Sequence, residues 1–536
     1  MNRSDTETAT GARGRTPPIS RLHSAVACVV AVVAAVGAGH LVAGIVAPDS
    51  SPLFVVGSAV IDITPAPLKE FAIQQFGEDN KSVLLGSIGV TLLLLAIVSG
   101  SLSRSSAALS VTLILALGLV GTVAAASRPT FAVGWLAAAV TAPVAGILAL
   151  LWLRRAARRA ASENAASEMP KQVTWHVPDL GRRSFLVSST AVAVGAGAAA
   201  LGGSLLSQRT GAEQSRDALR ALSITPNVPA PPIPAGADFA ADGTPSFITP
   251  NRDFYRVDTA LTPPRLRADA WQLRIHGMVD RELFLTFDDL LELPLYERTI
   301  TLVCVSNEVG GPYISNANFI GVSLPDVLNE AGVNPASNQI ATTSSDGWTC
   351  GTPVDAVMAE GSNAMLAIGM NGDPLPVAHG FPVRMVVPGL YGYVSATKWL
   401  VDMELTTFDA FTPYWVRRNW AARAPVKTMS RIDRPRSFAE VPAGRFIAAG
   451  IAWAQPTGIA RVEVRVDGGL WQDADLSSEV NNDTWRMWRI ELDVSPGNHR
   501  IECRATDRDG YTQTEQRVPP IPDGATGWHS VAFRAE

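Results

Sequence analysis

A cysteine that closes an apolar run is the first residue in this chain with clear potential for chemistry. Cys304 follows the apolar run 301–303, and His379, Arg384 and Lys398 come later at loop-like positions. A single thiolate suits a soft or borderline metal ion, whereas Arg and Lys suit a phosphate group. Together these residues predict a metal cofactor with an anionic tail.

The sequence around these residues predicts an α+β domain over residues 246–425. Residues 271–276 and 284–287 alternate between apolar and polar side chains, as strands do. Residues 288–293 and 324–328 have short helical patterns, the second with a proline near its start. Strands and short helices would therefore position the cysteine and the later cations.

The residues after 425 predict an all-β domain over residues 426–536. Residues 461–466 alternate cleanly and run into the turn residues 467–469, and residues 489–494 and 500–505 repeat the pattern. Short strands with turns between them favour an immunoglobulin-like sandwich.

The first 207 residues predict a membrane anchor of five transmembrane helices. Four long apolar stretches, each close to or above the ~20 residues that cross a bilayer, precede a milder fifth stretch at residues 185–206. Arginines flank them in the pattern expected for a cytoplasmic N-terminus, so the chain after the fifth helix would lie outside the cytoplasm. The four stretches are residues 24–47, 82–100, 107–126 and 130–153.

Two adjacent arginines, Arg182 and Arg183, stand directly before the fifth stretch and are followed by Phe185 and Leu186. The pattern resembles a twin-arginine export signal, which serves proteins that fold around a cofactor before crossing the membrane. Two ordinary arginines that obey the positive-inside rule are the alternative. Residues 208–245, rich in proline, predict an extended linker.

Composition narrows the functional classes. Apolar residues make up 47% and charged residues 17%, a balance typical of a membrane protein. A net charge of -5 without a basic aromatic patch argues against nucleic-acid binding. The four cysteines lack the paired spacing of a zinc site or a disulfide scaffold, and we interpret Cys28, Cys350 and Cys503 as packing residues.

From about residue 248 to the C-terminus, the chain resembles the sulfite oxidase superfamily of molybdopterin enzymes. The resemblance implies a molybdenum-molybdopterin cofactor, with the thiolate of Cys304 as a ligand of molybdenum. It also implies that the all-β domain pairs two chains, which makes a homodimer possible. The matching segments are residues 301–310, 379–388, 392–399, 450–453, 464–469 and 527–531.

The resemblance also implies pterin-binding residues in three segments. His379 suits hydrogen bonds to the pterin, and Arg384 and Lys398 suit its phosphate. Ser395 and Thr397 lie in the same loop as Lys398, and their hydroxyl or backbone N–H groups could add contacts to the pterin. The full set is Tyr255, Arg256, His379, Arg384, Ser395, Thr397 and Lys398.

Two departures from the family pattern concern the substrate. Glu308 follows Asn307 where sulfite oxidases usually have an arginine, and Trp420 stands where an active-site tyrosine is usual. A carboxylate beside the metal would repel sulfite, although Arg417 and its neighbour Arg418 could still bind an anion. Trp420 is either a substrate-site residue or a packed aromatic. The predicted catalytic residues are Cys304, Asn307, Arg417 and Trp420.

These features predict a multi-pass protein of the cell membrane whose extracytoplasmic molybdenum oxidoreductase domain transfers an oxygen atom on a small substrate. An S- or N-oxide reductase resembling the periplasmic methionine sulfoxide reductase is the alternative within the superfamily. A transporter or sensor is a second class, disfavoured because the spans contain few ionisable residues. A surface binding module is a third. The spans offer His40, with His23 at an edge, and no covalent haem motif, so we expect a separate electron-transfer partner.

Overall fold

The computed structural model describes residues 19–76, 79–128, 131–167, 180–208 and 211–536. The chain forms two compact units, Met1–Arg209 and Thr210–Glu536. The division falls close to the end of the predicted membrane anchor at residue 207.

The described residues of the first unit form helices that are joined by short loops. Five of its helical segments are long and apolar enough to cross a membrane, which agrees with the five predicted stretches, while their orientation in a membrane stays a prediction. The helices are α1 (Arg21–Val46), α2 (Pro52–Ile63), α3 (Ala66–Phe76), α4 (Asn80–Leu102), α5 (Ala108–Ala126), α6 (Leu136–Ser167) and α7 (Leu180–Gln208).

Small residues let helix α1 pack closely against α7. A Cβ added to Gly37 would lie 2.6 Å from the carbonyl oxygen of Ala196, so the contact requires glycine. Close approach at small residues is a common way for apolar helices to associate in membranes. The imidazole of His40 bonds the hydroxyls of Ser51 (3.0 Å) and Ser204 (3.1 Å), which gives this histidine a structural role within the helical unit.

The second unit begins with helix α8 (Gly211–Leu222), so the predicted extended linker over residues 208–245 is wrong at this helix. Ala212 and Leu219 lie on one face of α8 and are buried. Arg216 donates hydrogen bonds to the carbonyl oxygens of Pro374 (3.1 Å) and Leu375 (2.9 Å). The helix forms because its residues dock on the α+β region, a long-range contact that the local composition does not reveal.

The α+β region contains two sheets, in agreement with the predicted class. One sheet has the strand order β2-β1-β10-β5-β6, in which only β1 and β10 are parallel. The other has the order β3-β4-β7-β8, with β9 paired to β7. The elements are β1 (Gln272–Gly277), β2 (Leu283–Thr286), α9 (Phe287–Glu292), β3 (Leu295–Val303), β4 (Ile314–Ser323), α10 (Leu324–Ala331), β5 (Gln339–Ser344), β6 (Thr349–Pro353), α11 (Val354–Met358), β7 (Met365–Met370), β8 (Asp373–Pro374), β9 (Arg384–Val386) and β10 (Leu400–Thr406).

Local signals explain why the two longer helices of this region start where they do. Thr286 accepts a hydrogen bond from the backbone of Asp289, whose side chain accepts one from the Thr286 backbone, a capping box for α9. Ser323 caps α10 through Asp326, and Gly332 ends that helix with a left-handed backbone.

The C-terminal region is all-β, as predicted. Its sheets have the strand orders β11-β13-β17-β16 and β12-β19-β18-β14-β15, and inward-facing residues of both, such as Trp488 and Val464, form one apolar core. The immunoglobulin-like assignment stays a prediction. The strands are β11 (Met429–Arg434), β12 (Glu440–Val441), β13 (Gly444–Trp453), β14 (Ile459–Val466), β15 (Gln472–Asp473), β16 (Asp475–Leu476), β17 (Arg486–Val494), β18 (Gly497–Asp507) and β19 (His529–Ala535).

Candidate active site

Cys304 is the first residue after strand β3, which pairs with β4 along its whole length. The backbone N–H of Cys304 donates to the carbonyl oxygen of Tyr313 (3.0 Å), so the cysteine begins a closed loop that returns to β4. The Cys304 residue is 9% exposed. The structure therefore places the predicted metal ligand at the end of a fixed strand.

The loop after the cysteine is a compact turn built around Asn307. The Asn307 backbone donates to the carbonyl of Cys304 (3.0 Å), and its side-chain oxygen accepts from the backbone of Tyr313 (2.8 Å). Asn307 is 6% exposed, whereas Glu308 is exposed. Asn307 therefore shapes the loop that carries Cys304, and the Glu308 residue reaches solvent.

The protonation of Cys304 depends on a metal. Burial raises the pKa of the Cys304 thiol, although hydrogen bonds from Ser306 and the charge of Lys398 act in the opposite direction. The thiol is therefore neutral in the cofactor-free chain near pH 7, and coordination to a metal would ionise it.

The predicted pterin-binding residues His379, Arg384 and Lys398 lie together. Arg384 donates a hydrogen bond to the carbonyl oxygen of His379 (3.2 Å). A Cβ added to Gly380 would lie 3.0 Å from the Cβ of Arg384 and 3.2 Å from the Cα of Lys398, so glycine allows all three segments to meet. Gly380 also has a φ of +110°, which favours glycine.

Burial controls the charges in this group. It lowers the pKa of His379 to about 3, with help from the charges of Arg384 and Lys398, so the imidazole is neutral at pH 7. Burial lowers the pKa of Arg384 to about 10. It lowers that of Lys398 to about 8, against the attraction of Asp258. Arg384 and Lys398 therefore remain mostly charged at pH 7.

The carboxylate of Asp258 serves two of the cations. Its Oδ2 accepts from Arg256 Nε (2.8 Å) and from Lys398 Nζ (2.8 Å), and its side chain is 5% exposed. Sequence reasoning missed Asp258. The available signal was a carboxylate two residues after Arg256, but its contact with Lys398 spans 140 positions.

Arg384 has no such counter-charge among the residues that the structure describes. It is 4% exposed, forms no ion pair with any described residue, and its Nε lacks a hydrogen-bond partner among them. A buried guanidinium without an anion is strongly unfavourable, and a phosphate would supply the missing charge and acceptor. This residue and the thiol of Cys304 fit a metal cofactor with an anionic tail.

Tyr255 also lies next to this group of residues. Its ring stacks on Phe254 with 5.5 Å between centroids, and the Phe254 ring lies 5.5 Å from the His379 ring. Burial raises the pKa of Tyr255, and the proximity of Cys304 raises it further, so the phenol is neutral. Tyr255 is therefore close enough to both Cys304 and Arg384 for their charges to act on its phenol.

Ser395 and Thr397 are fully buried in the same loop as Lys398. The Ser395 hydroxyl donates to the carbonyl oxygens of Leu390 (3.0 Å) and Tyr391 (3.1 Å). The Thr397 hydroxyl bonds the hydroxyl of Thr342 (2.6 Å). Both hydroxyls are engaged within the protein, so the structure favours a role in shaping the loop over donation to a pterin.

The predicted substrate residues differ in their exposure to solvent. Arg417 is exposed, and the guanidinium of Arg418 lies 3.6 Å above the Tyr414 ring while Arg418 donates to the Tyr414 carbonyl (2.8 Å). Trp420 is 7% exposed, and its ring lies 5.7 Å from that of Tyr393. Its Nε1 has no hydrogen-bond partner in the part of the chain that the structure describes.

A short path of contacts connects Trp420 to the cysteine. The hydroxyl of Tyr393 donates to the carbonyl of Ala421 (2.6 Å). Gly392, the residue before Tyr393, donates from its backbone to the carbonyl of Val303 (3.1 Å), next to Cys304. Trp420 therefore packs beside the loop that touches the end of β3.

Comparisons with known proteins identify the family. Residues 260–415 match the family model described as oxidoreductase molybdopterin binding domain. The uncharacterized oxidoreductase YuiH of Bacillus subtilis (strain 168) is 35% identical over 153 residues, which cover 28% of this chain and 73% of that protein. The mitochondrial sulfite oxidases of Macaca fascicularis and Homo sapiens are each 32% identical over 340 residues. The chain belongs to the sulfite oxidase superfamily.

The extent of the similarity is limited. The matches to the two mitochondrial sulfite oxidases cover 54% of this chain and 62% of each relative. The solved structure of the sulfane dehydrogenase SoxCD from Paracoccus pantotrophus is similar with a TM-score of 0.48 and 23% identity, over 54% of this chain and 84% of that one.

Membership of the sulfite oxidase superfamily confirms the prediction of an oxidoreductase domain with a molybdenum-molybdopterin cofactor. The roles of the individual residues stay predictions. The structure brings Cys304, Tyr255, His379, Arg384 and Lys398 into one group and leaves Arg417 exposed.

Proposed function

We propose that this chain is a membrane-anchored, extracytoplasmic molybdenum oxidoreductase that transfers an oxygen atom between water and a small substrate. When bound, the cofactor would supply the two-electron redox chemistry. The observation that carries the proposal is Arg384, a buried cation without an ion pair among the described residues, in the same group as Cys304.

Each residue of the group has a distinct part in this proposal. Cys304 would hold molybdenum through its thiolate, and Arg384 and Lys398 would hold the phosphate of the pterin. His379 Nε2 contacts the carbonyl oxygen of Asn251 (3.2 Å), and because a carbonyl only accepts, Nε2 carries the proton. Nδ1 of the neutral ring is then an acceptor for an N–H group of the pterin.

Reduction of an S- or N-oxide is the second candidate, and two observations favour a neutral substrate. The exposed Glu308 follows Asn307 in the turn after Cys304, and its negative charge would repel sulfite. The Trp420 indole N–H is buried without a partner among described residues. It is a suitable donor to the oxygen of a neutral oxide, where a sulfite site would need cations.

The proposed partners follow from the rest of the chain. The five long apolar helices support anchoring in a lipid bilayer. The span histidine His40 is bonded to Ser51 and Ser204, which supports a separate electron-transfer partner in place of a haem in this bundle. The C-terminal all-β region is the proposed site of homodimer formation, by resemblance to the superfamily.

The first test is the metal content and turnover of the full chain from a host that makes molybdopterin, with Cys304→Ser beside it. We expect molybdenum in the wild type, and loss of turnover in Cys304→Ser because a serine hydroxyl is a poor substitute for a thiolate ligand. Cys503→Ser is the control, since Cys503 is another buried, free cysteine and lies in the core of the C-terminal all-β region. Retained turnover in Cys304→Ser would contradict the proposal.

Reaction direction is tested on the same preparation. Sulfite is assayed with an artificial electron acceptor, and neutral S- and N-oxides with an artificial donor. Trp420→Phe should raise the KM for an oxide because it removes the indole N–H and keeps an aromatic ring. Rapid sulfite oxidation with no turnover of oxides would favour the sulfite-oxidase reaction over the second candidate.

A further inference from the structure

The strand that carries Cys304 is held by the C-terminal all-β region as well as by β4. The backbone N–H of Thr301 donates to the carbonyl of Asp483 (2.9 Å), and the backbone of Trp485 donates to the Thr301 hydroxyl (2.8 Å). Gln455 donates to the Thr301 carbonyl (3.3 Å). Thr301 is 3% exposed and lies three positions before Cys304.

The same region also contacts the loop on the other side of the cysteine. Arg431 Nη1 donates to the carbonyl oxygen of Gly311 (2.9 Å), while its Nε pairs with Asp433 (2.8 Å). The side chains of Arg431 and Asp433 are 10% and 14% exposed, so this pair is largely removed from solvent. Arg431 therefore supplies a charged donor to a loop carbonyl.

His529 provides the second contact. Gly310 has a φ of +82°, and a Cβ added there would overlap the His529 ring, so the ring lies directly against the glycine. The Nδ1 of His529 accepts from the backbone N–H of Ile432 (2.9 Å), which fixes the orientation of the ring. Burial, assisted by Arg431 and Arg517, lowers the pKa of His529 to about 4, so the ring is neutral at pH 7.

We propose that Arg431 and His529 are positioning residues for the 307–311 turn, through which the C-terminal all-β region fixes the substrate side of the Cys304 site. Within the turn, the Asn307 backbone donates to the carbonyl of Cys304, the Gly311 backbone donates to the carbonyl of Glu308, and the Asn307 side chain accepts from the backbone of Tyr313. Arg431 and His529 act at its two glycines, where the backbone has the most freedom.

The proposal rests on the proposed function only for its kinetic readout. The direct readout is amide hydrogen exchange of peptides that cover residues 304–313 in the full chain, which reports local opening whether or not substrate turns over. Loss of molybdenum from the wild type would overturn the proposed function and leave this comparison intact.

The first variant is His529→Asn. The asparagine oxygen replaces Nδ1 as the acceptor for Ile432, while the ring that presses on Gly310 is removed. We expect exchange in the 307–311 amides to become about tenfold faster, with a raised KM and unchanged molybdenum content. The control is His499→Asn, because His499 bonds Asp467 and Ser495 within the all-β region.

The second variant is Gly310→Ala, which keeps His529 and forces a methyl group against its ring. Gly510→Ala is the matched control, because Gly510 has a similar φ of +87° but nothing within 4 Å of an added Cβ. Both alanines strain the backbone, and only Gly310→Ala should speed exchange in the turn and raise KM.

Unchanged exchange in the turn of a folded His529→Asn overturns the proposal, whichever way the two alanine variants behave. If His529→Asn does not fold, the comparison of the two alanine variants decides alone.

Discussion

Lys398 is a buried cation in the candidate site, and without a bound anion its charge destabilises the folded chain. Its side chain is 11% exposed, and burial lowers its pKa from 10.5 to about 8 despite the ion pair with Asp258. Below pH 8 the folded chain carries a buried ammonium group, and this buried charge lowers the free energy of unfolding. Between pH 8 and 10.5 the folded chain loses this proton while the unfolded chain still binds it. The free energy of unfolding therefore rises with pH over this range.

The stability of the cofactor-free chain should therefore rise over this pH window by up to about 3 kcal/mol through Lys398. Lys398→Met should remove this rise and leave Asp258 paired with Arg256. Thermal unfolding of both proteins from pH 7.5 to 10.5 measures the difference. In the loaded chain, a bound phosphate would raise the pKa of Lys398 and flatten the wild-type curve. A parallel pH dependence of the cofactor-free wild type and variant would contradict the assignment.

The sequence alone singled out most of the residues that the structure brings into one group, but it did not reveal their partners from distant parts of the chain. Cys304 and Arg384 could be singled out because their neighbours form recognisable segments. Asp258 could not be paired with Lys398, since 140 positions separate them. His529 was equally hidden, because its contact with Gly310 depends on how two regions pack.

At the scale of elements, helix α8 is the main difference between expectation and structure. Proline-rich composition predicted an extended segment, but prolines begin only at Pro226. The helix at Gly211–Leu222 owes its docking to Arg216, which donates to Pro374 and Leu375. Pro374 and Leu375 precede the turn that contains His379, so α8 supports the segment that carries this predicted pterin-binding residue. By contrast, the alternating strands of the C-terminal region were predictable from local pattern alone.

Arg216→Ala should therefore destabilise the second unit by about 1–3 kcal/mol, since it leaves buried carbonyl groups without their donor. It should also weaken pterin retention by loosening the segment before His379. Arg220→Ala is the control, because Arg220 makes an exposed ion pair with Asp373 that is worth ~1 kcal/mol or less. Melting temperature and pterin fluorescence of the purified chain are the readouts. Equal effects of the two substitutions would refute a special role for Arg216.

At the scale of the whole molecule, the chain joins a helical unit to a cofactor-binding unit, and the proposed export of the second unit makes the order of folding and transport matter. The candidate site draws on β3 and the 379–398 segments, and the C-terminal region contacts Thr301 and Gly311 on either side of Cys304, so we expect the site to form only when residues 246–536 have folded together. We therefore expect such a site to bind its cofactor only once these residues are folded. This requirement favours an export route that accepts folded proteins, such as the one that the paired arginines before residue 185 suggest.

Replacing Arg182 and Arg183 by lysine tests that route without altering charge. Lysine satisfies the positive-inside rule as well as arginine does, so ordinary insertion should be unaffected, whereas a twin-arginine signal requires the guanidinium groups. We expect the second unit of the double variant to stay in the cytoplasm, protected from protease added to intact cells, and still to contain molybdenum. Arg158→Lys with Arg159→Lys is the control, since this pair lies in α6 and both residues are exposed. Normal surface digestion of the Arg182 and Arg183 double variant would show that the unit crosses by another route.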